Sequence, residues 1–296
     1  MLQIQHLNFR YKGNHSNCLN DLSLTLEKGE ALGLLGHNGA GKTTLLNIIS
    51  GLLPAPENTV IFEAHQNNNS RISQLSSLIP QEFAFYNDLT VIANLKIFIS
   101  FLTYESKRKQ SILSDVIAKC KLDGLLNTQA KKLSGGQKRR LNLAIGLLKD
   151  APLLLLDEPT VGIDPEARRT IIDIINKLSD DGKTIIYTSH LLDDIEKTCS
   201  KIAILHNGEW QLKPTGLNEI NNSNQLSITF ESAPKVWINK YNHKKMTDNH
   251  YIIFNIDQTH AHEILNLCKE QSIDIIEFNY GKQALESFYL KLVETL

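Results

Sequence analysis

Residues Gly36-His37-Asn38-Gly39-Ala40-Gly41-Lys42-Thr43 fit the pattern Gly-x-x-x-x-Gly-Lys-Ser/Thr, and no other stretch constrains the fold of this chain as tightly. Such a loop needs a strand before it and a helix after it. Its backbone amides wrap a phosphate chain at a helix N-terminus, where free N–H groups and the macrodipole favour anions. The flanks comply: Ala31-Leu32-Gly33-Leu34-Leu35 is an apolar run of buried-strand length, and Thr43 to Ile49 reads as a helix ending at Gly51. In this setting Lys42 is expected to reach the β and γ phosphates and the Thr43 hydroxyl to ligate magnesium.

A second phosphate-handling motif lies downstream, where Leu153-Leu154-Leu155-Leu156 runs into Asp157-Glu158. A buried strand would lift both carboxylates to its C-terminal edge, where open α/β sheets bind ligands. There Asp157 could hold the magnesium shell and Glu158 could polarise a water for attack on the γ phosphate, although two acids after a strand can also cap a helix. Between the two motifs sits Leu133-Ser134-Gly135-Gly136-Gln137, a glycine-bearing loop expected to lead into a helix near Gln137. The following Lys138-Arg139-Arg140 has no interleaved aromatics and reads as a solvated helix face rather than a nucleic-acid stripe.

Composition fits a large globular protein: 296 residues allow two domains, and 42% hydrophobic content can bury a full core. A formal net charge of -1 gives no bulk attraction to nucleic acid or anionic lipid. Cys18, Cys120, Cys199 and Cys268 contain no Cys-x-x-Cys pair, so free thiols are expected rather than disulfides or zinc. The N-terminal residues do not follow the signal-peptide pattern. Val91 to Leu102, the longest apolar candidate, is interrupted by Asn94 and Lys96 and is shorter than the roughly 20 residues a membrane span needs.

The chain falls into blocks. Leu2 to Phe9 and Leu19 to Leu26 alternate as half-exposed strands of an antiparallel layer. From about 87 to 150 the pattern is helical, consistent with an inserted helical subdomain. Strands at Leu153 to Asp157 and Thr184 to Thr188 then alternate with helices at Pro165 to Leu178 and Leu191 to Cys199, which implies a parallel sheet covered on both faces. Ile202 to Leu205 and Glu209 to Leu212 form a hairpin across an Asn-Gly turn. Polar residues at 217 to 224 mark a linker. Beyond it a small α+β domain, 217–296, is expected to carry strands near Leu226 to Phe230, Tyr251 to Ile256 and Ile273 to Phe278. Helices are expected near His260 to Lys269 and Gln283 to Leu292, the last with Leu285, Phe288, Tyr289 and Leu292 on one face.

Taken together, the motifs resemble those of the nucleotide-binding subunit of an ATP-binding cassette (ABC) transporter, over residues 1 to about 216. The resemblance implies an α/β fold: a P-loop NTPase cassette with a RecA-like parallel sheet, an antiparallel β layer and the helical subdomain, followed by the C-terminal domain. It implies ATP and Mg2+ as cofactors. Gly36 to Thr43, with Thr44 beside it, matches the family's phosphate loop, and Leu133 to Gln137 its signature. Gln81 in Ile79-Pro80-Gln81-Glu82 matches the glutamine loop, with a contact to magnesium and water. Leu153 to Glu158 matches the magnesium strand, Asp164 the dimer-contact aspartate and His190 the switch histidine. Tyr11 stands where the family places an aromatic residue on adenine. By themselves, His190 could be a structural histidine at a strand end, Gln81 an ordinary loop residue and Tyr11 a packed sheet-edge ring.

The family resemblance further implies a head-to-tail homodimer, in which Ser134, Gly135, Gly136 and Gln137 of one copy close over ATP held by the phosphate loop of the other. Val161-Gly162-Ile163-Asp164, in place of the commoner Ser-Ala-Leu-Asp, resembles bacterial export cassettes for drugs, antibiotics, lipids or polysaccharides. That subtype implies a separate polytopic membrane permease touching Gln81 to Leu95, a location peripheral to the cytoplasmic face of the membrane, and no nucleic-acid partner. The alternative is a soluble cassette ATPase of the DNA-repair or translation-factor type. Neither a coiled-coil insertion between Lys42 and Leu133 nor a second cassette supports it.

Overall fold

The computed structural model describes residues 2–13, 15–56, 59–62, 73–217, 225–231, 236–245 and 249–280. The chain divides into two compact units, residues 1–214 and 215–296.

The first unit is built on a six-stranded sheet in the order β5 (Ser76–Ile79), β6 (Leu153–Asp157), β7 (Thr184–Ser189), β3 (Ala31–Leu35), β8 (Lys201–His206), β9 (Glu209–Gly216). Pairing from β5 through β8 is parallel. Every residue of β3, β6 and β7 is buried, as expected for strands covered on both faces. β8 and β9 are neighbours joined through Asn207-Gly208, both with positive φ (48° and 79°), as a type I′ hairpin requires. This parallel order leaves the C-terminal ends of β3, β6 and β7 side by side, which brings together three segments far apart in sequence.

A separate antiparallel sheet, β2 (Leu19–Leu26), β1 (Leu2–Phe9), β4 (Val60–Phe62), covers one side. Its inward residues Leu2, Ile4, Leu22 and Leu24 share one core with Leu45, Leu46, Ile48 and Ile49 of α1 (Lys42–Ile49) and with Leu32, Leu153 and Leu155 of the parallel sheet. The helix after the phosphate loop is therefore held through its apolar face. It stops at Ser50, with Gly51 following at φ 78°.

The helical block consists of α2 (Val91–Ser100), α3 (Ser106–Lys119) and α4 (Gly135–Leu147), with 3-10 turns at Asp123–Leu125 and Ala130–Lys132. Asn94, which breaks the apolar run of α2, is fully buried. Its side chain donates to the carbonyl of Tyr86 at 3.0 Å and accepts from the amide of Tyr86 at 2.8 Å, so it fastens the turn before the helix. No helix among the described residues is long and apolar enough to cross a membrane. Two further helices, α5 (Pro165–Asp180) and α6 (Leu192–Thr198), follow β6 and β7.

The second unit has a four-stranded antiparallel sheet in the order β11 (His243–Lys245), β12 (His250–Phe254), β10 (Gln225–Phe230), β13 (Ile275–Tyr280). Helix α7 (Gln258–Glu270) is N-capped by Asp257 and packs Ile264 and Cys268 against Leu226, Ile228, Phe230 and Ile253. Strand β11 was not expected from the sequence, and β12 ends two residues early, before Asn255 at φ 57°. Residues 218–224 of the expected linker, and the expected helix from Gln283 with its apolar face, lie outside the described residues.

Candidate nucleotide-binding site

The loop from Gly36 to Gly41 leaves β3 and enters α1 with Gly39 and Gly41 at φ 87° and 106°, a region that L side chains rarely adopt. A Cβ on Gly36 would meet the carbonyl oxygen of Leu205 at 2.4 Å, so that glycine is fixed by packing against β8. Gly41 is the N-cap of α1 and has no side chain to occupy the first amides of the helix, which leaves that end open to an anion. The ammonium of Lys42 donates to the carbonyls of Gly36 (2.7 Å) and His37 (3.2 Å), in the concavity where a phosphate would sit. Asn38 and Ala40 complete the loop, and Ala40 accepts from the amide of Gly208 at 3.0 Å.

Thr43 and Asp157, 114 residues apart, are in direct contact, the hydroxyl donating to a carboxylate oxygen at 2.9 Å. Hard oxygen donors of this kind suit a divalent magnesium ion. The other Asp157 oxygen accepts from the hydroxyl of Thr188 at 2.7 Å, and the same hydroxyl accepts from the amide of Glu158 at 2.9 Å. Thr188, which the sequence did not single out, thereby orients the Asp157 carboxylate and holds the backbone of Glu158. Glu158 has φ 46°, an uncommon conformation for a side-chain-bearing residue, and turns its carboxylate back into the site. One of its oxygens lies 3.6 Å from the Lys42 ammonium and the other 2.9 Å from Nδ1 of His190. Lys42 and Glu158 are buried, whereas half of the His190 side chain faces solvent.

Tyr11 and Thr44 bond through their hydroxyls at 3.0 Å, and the Cys18 thiol donates to the same Thr44 oxygen at 3.5 Å. The Tyr11 ring also meets Phe9 edge-on at 5.0 Å. Gln81 is exposed after β5 and lines, with Thr43 and Asp157, a groove of about 810 Å³ that continues to Leu52, Phe98 and Phe101.

The signature starts a helix two residues earlier than expected. Ser134 is the N-cap of α4, accepting from the amide of Gln137 at 3.3 Å, while the Gln137 side chain accepts from the amide of Ser134 at 3.0 Å, a reciprocal capping box. A Cβ on Gly136 would meet Cβ of Ala167 in α5 at 2.2 Å, so this glycine is required by packing within the chain, while a Cβ on Gly135 would make only an ordinary contact with the carbonyl oxygen of Gly162 at 3.7 Å. Asp164 caps α5, accepting from the amides of Glu166 and Ala167 at 3.1 and 2.9 Å. Ser134, Gly136, Gln137 and Asp164 line a cleft of about 360 Å³ that includes no residue of the phosphate loop.

Comparison with known proteins places this geometry. The family described as ABC transporter matches residues 19–161. The linearmycin resistance ATP-binding protein LnrL of Bacillus subtilis is 35% identical over 213 residues, 71% of this chain and 67% of that protein. The chain belongs to the ABC transporter family. The Nod factor export ATP-binding protein I of Rhizobium johnstonii is 35% identical over 192 residues, 64% of this chain, and the chain spans only 62% of that relative's length. Among solved structures, an ATP-binding subunit of an ABC transporter superposes with a TM-score of 0.65 at 25% identity, covering 75% of this chain and 92% of that one. A dimeric cassette in a post-hydrolysis state bound to ADP and Pi gives 0.64 at 23% identity, covering 73% and 98%, a likeness of fold alone. As an ABC cassette, the chain is a nucleotide-binding ATPase.

One expectation for this cassette is corrected. Arg139 does not lie on a solvated helix face: it is buried, and its guanidinium donates to the carbonyls of Gln81 (2.7 Å) and Val161 (3.3 Å) beneath the ring of Phe83. Its neighbour Arg140 donates to the carbonyl of Lys121 at 2.7 Å. The signal was present in helical phase, since Arg139 sits four residues before Leu143 and shares its face of α4.

Proposed function

We propose that this cassette is the ATP-hydrolysing subunit of an exporter, working as a head-to-tail homodimer on a separate polytopic membrane permease at the cytoplasmic face of the membrane. The observation that carries the reading is the separation of the signature cleft from the chain's own phosphate loop. Each copy holds two halves of different sites, and a second copy is needed to complete either.

In this reading the phosphate loop, Lys42 and α1 hold the phosphate chain of ATP, and Tyr11 supplies a ring face for adenine. Thr43, Asp157 and Gln81 hold magnesium, which when bound screens the phosphate charge. Glu158 accepts the proton of the attacking water. His190, hydrogen-bonded to Glu158, orients that carboxylate and can also donate toward the γ phosphate. From the second copy, Ser134, Gly135 and the first amides of α4 meet the γ phosphate, and Asp164 borders the same contact. Hydrolysis removes the charge that holds the halves together, so nucleotide state sets the dimer population. Residues 217–296 form an accessory domain that assists dimerisation or regulation.

The export assignment draws on the names of the relatives, which are those of resistance and export ATP-binding proteins. It also draws on an aromatic surface beside Gln81: Phe83, Tyr86 and Phe101 are exposed, with ring contacts from Phe83 to Phe85 and from Phe98 to both Tyr86 and Phe101. Such a surface suits the apolar end of a permease loop. Affinity capture of the full chain from detergent-solubilised host membranes tests this. The wild type should recover a polytopic membrane protein and Tyr86→Asp should not, while equal recovery would count against the docking surface.

A further inference from the structure

Arg139 is a buried charge that the hydrolytic cycle above does not use. It is 4% exposed, and no carboxylate lies within 4.0 Å of it among the described residues. Its Nε has no hydrogen-bond partner. Burying a guanidinium this way is unfavourable, and a leucine could fill the space on α4. What arginine adds is its planar fork. One terminal nitrogen holds the carbonyl of Gln81, and the other holds the carbonyl of Val161, which lies between Glu158 and Asp164. One turn further along α4, Asn142 donates to the carbonyl of Pro80 at 2.9 Å and accepts from the amide of Ala84 at 2.9 Å, so the glutamine loop is pinned to the signature helix at both ends. The remaining face of the guanidinium is covered by the Phe83 ring, whose centroid is 4.9 Å away and which is 43% exposed on the aromatic surface.

We propose that Arg139 is a positioning residue that keeps the glutamine loop and the Glu158–Asp164 loop in register, with the Phe83 ring holding the face of its guanidinium. The glutamine loop and Glu158 face the chain's own phosphate loop, whereas Asp164, at the far end of the second loop, lines the signature cleft, so a small displacement of one guanidinium alters both. The inference rests on the role given to Gln81 above, and the test separates the two.

The test is a double-mutant cycle on the full chain, measuring kcat and KM for ATP hydrolysis in wild type, Gln81→Ala, Arg139→Gln and the double variant. Arg139→Gln is expected to lower kcat about tenfold with KM for ATP within about twofold, and to lower it by a clearly smaller factor once Gln81 is alanine, the remainder being its hold on the Glu158–Asp164 loop. A merely structural role would lower kcat by the same factor in both backgrounds, and that additivity would overturn the proposal. If Gln81→Ala alone leaves kcat unchanged, the reading of Gln81 fails and takes this inference with it. Should Arg139→Gln not fold, Phe83→Leu removes only the ring face, and the cycle with Gln81→Ala is read in the same way.

Discussion

The ammonium of Lys42 and a carboxylate oxygen of Glu158 lie 3.6 Å apart, both buried, across a site that must also admit a triphosphate. In the proposed mechanism a γ phosphate entering the loop would compete with Glu158 for the lysine, coupling substrate arrival to release of the carboxylate for a water. Glu158→Gln keeps the shape and removes the charge. Turnover should fall by about 10²–10⁴-fold while ATP binding is retained, as followed by phosphate release and by nucleotide titration. Hydrolysis at the normal rate would remove the base assignment.

Lys42→Ala takes away the charge proposed to answer the β and γ phosphates and leaves Glu158 with His190 as its remaining side-chain partner in the site. Tight ATP binding should be lost, and the fold should lose about 1–3 kcal/mol as a buried carboxylate loses its cation. Nucleotide titration and urea unfolding measure the two effects. Unchanged affinity would contradict the phosphate-loop reading.

Thr188→Val is nearly isosteric and removes the hydroxyl that orients Asp157 and holds the amide of Glu158. The half-maximal Mg2+ concentration for hydrolysis should rise and stability should fall by about 1–3 kcal/mol. A variant with wild-type magnesium dependence would show that Asp157 needs no such support.

Much of this site was legible because its chemistry is local. The glycines of the phosphate loop, the strand of leucines before Asp157 and the apolar runs of β3 and β7 announce themselves over a few residues. Thr188 and Arg139 do not, because their roles depend on partners about 30 and 58 positions away that only the parallel sheet and the glutamine loop bring near. Strands β4 and β5 escaped for another reason. They are three and four residues long, and β5 opens on Ser76-Ser77, so period and composition carry little signal. Gly136 was expected to close over ATP held by another copy, and its nearest constraint is Ala167 of its own chain.

That constraint gives a further prediction. Gly136→Ala would drive a methyl group into Ala167 and push α4 from α5, so stability should fall by about 1–3 kcal/mol in thermal or urea unfolding, even without nucleotide. Gly135→Ala meets no such obstacle and should leave unfolding nearly unchanged.

The cysteines report on the site independently. Burial pushes the thiols of Cys120 and Cys199 up to about 12, which keeps both protonated and unreactive at pH 8. Half-buried Cys18, beside Thr44, should react first with iodoacetamide, and ATP should slow it. Peptide mass spectrometry after brief labelling reads this order.

The central claim is that the signature of one copy completes the nucleotide site of another, and light scattering on the Glu158→Gln chain with and without ATP tests it most directly. ATP should convert that chain to a dimer, and adding Gly135→Asp should prevent the conversion while ATP still binds. An ATP-induced dimer that forms equally well with Gly135→Asp, or no change in mass on adding ATP to Glu158→Gln, would contradict it.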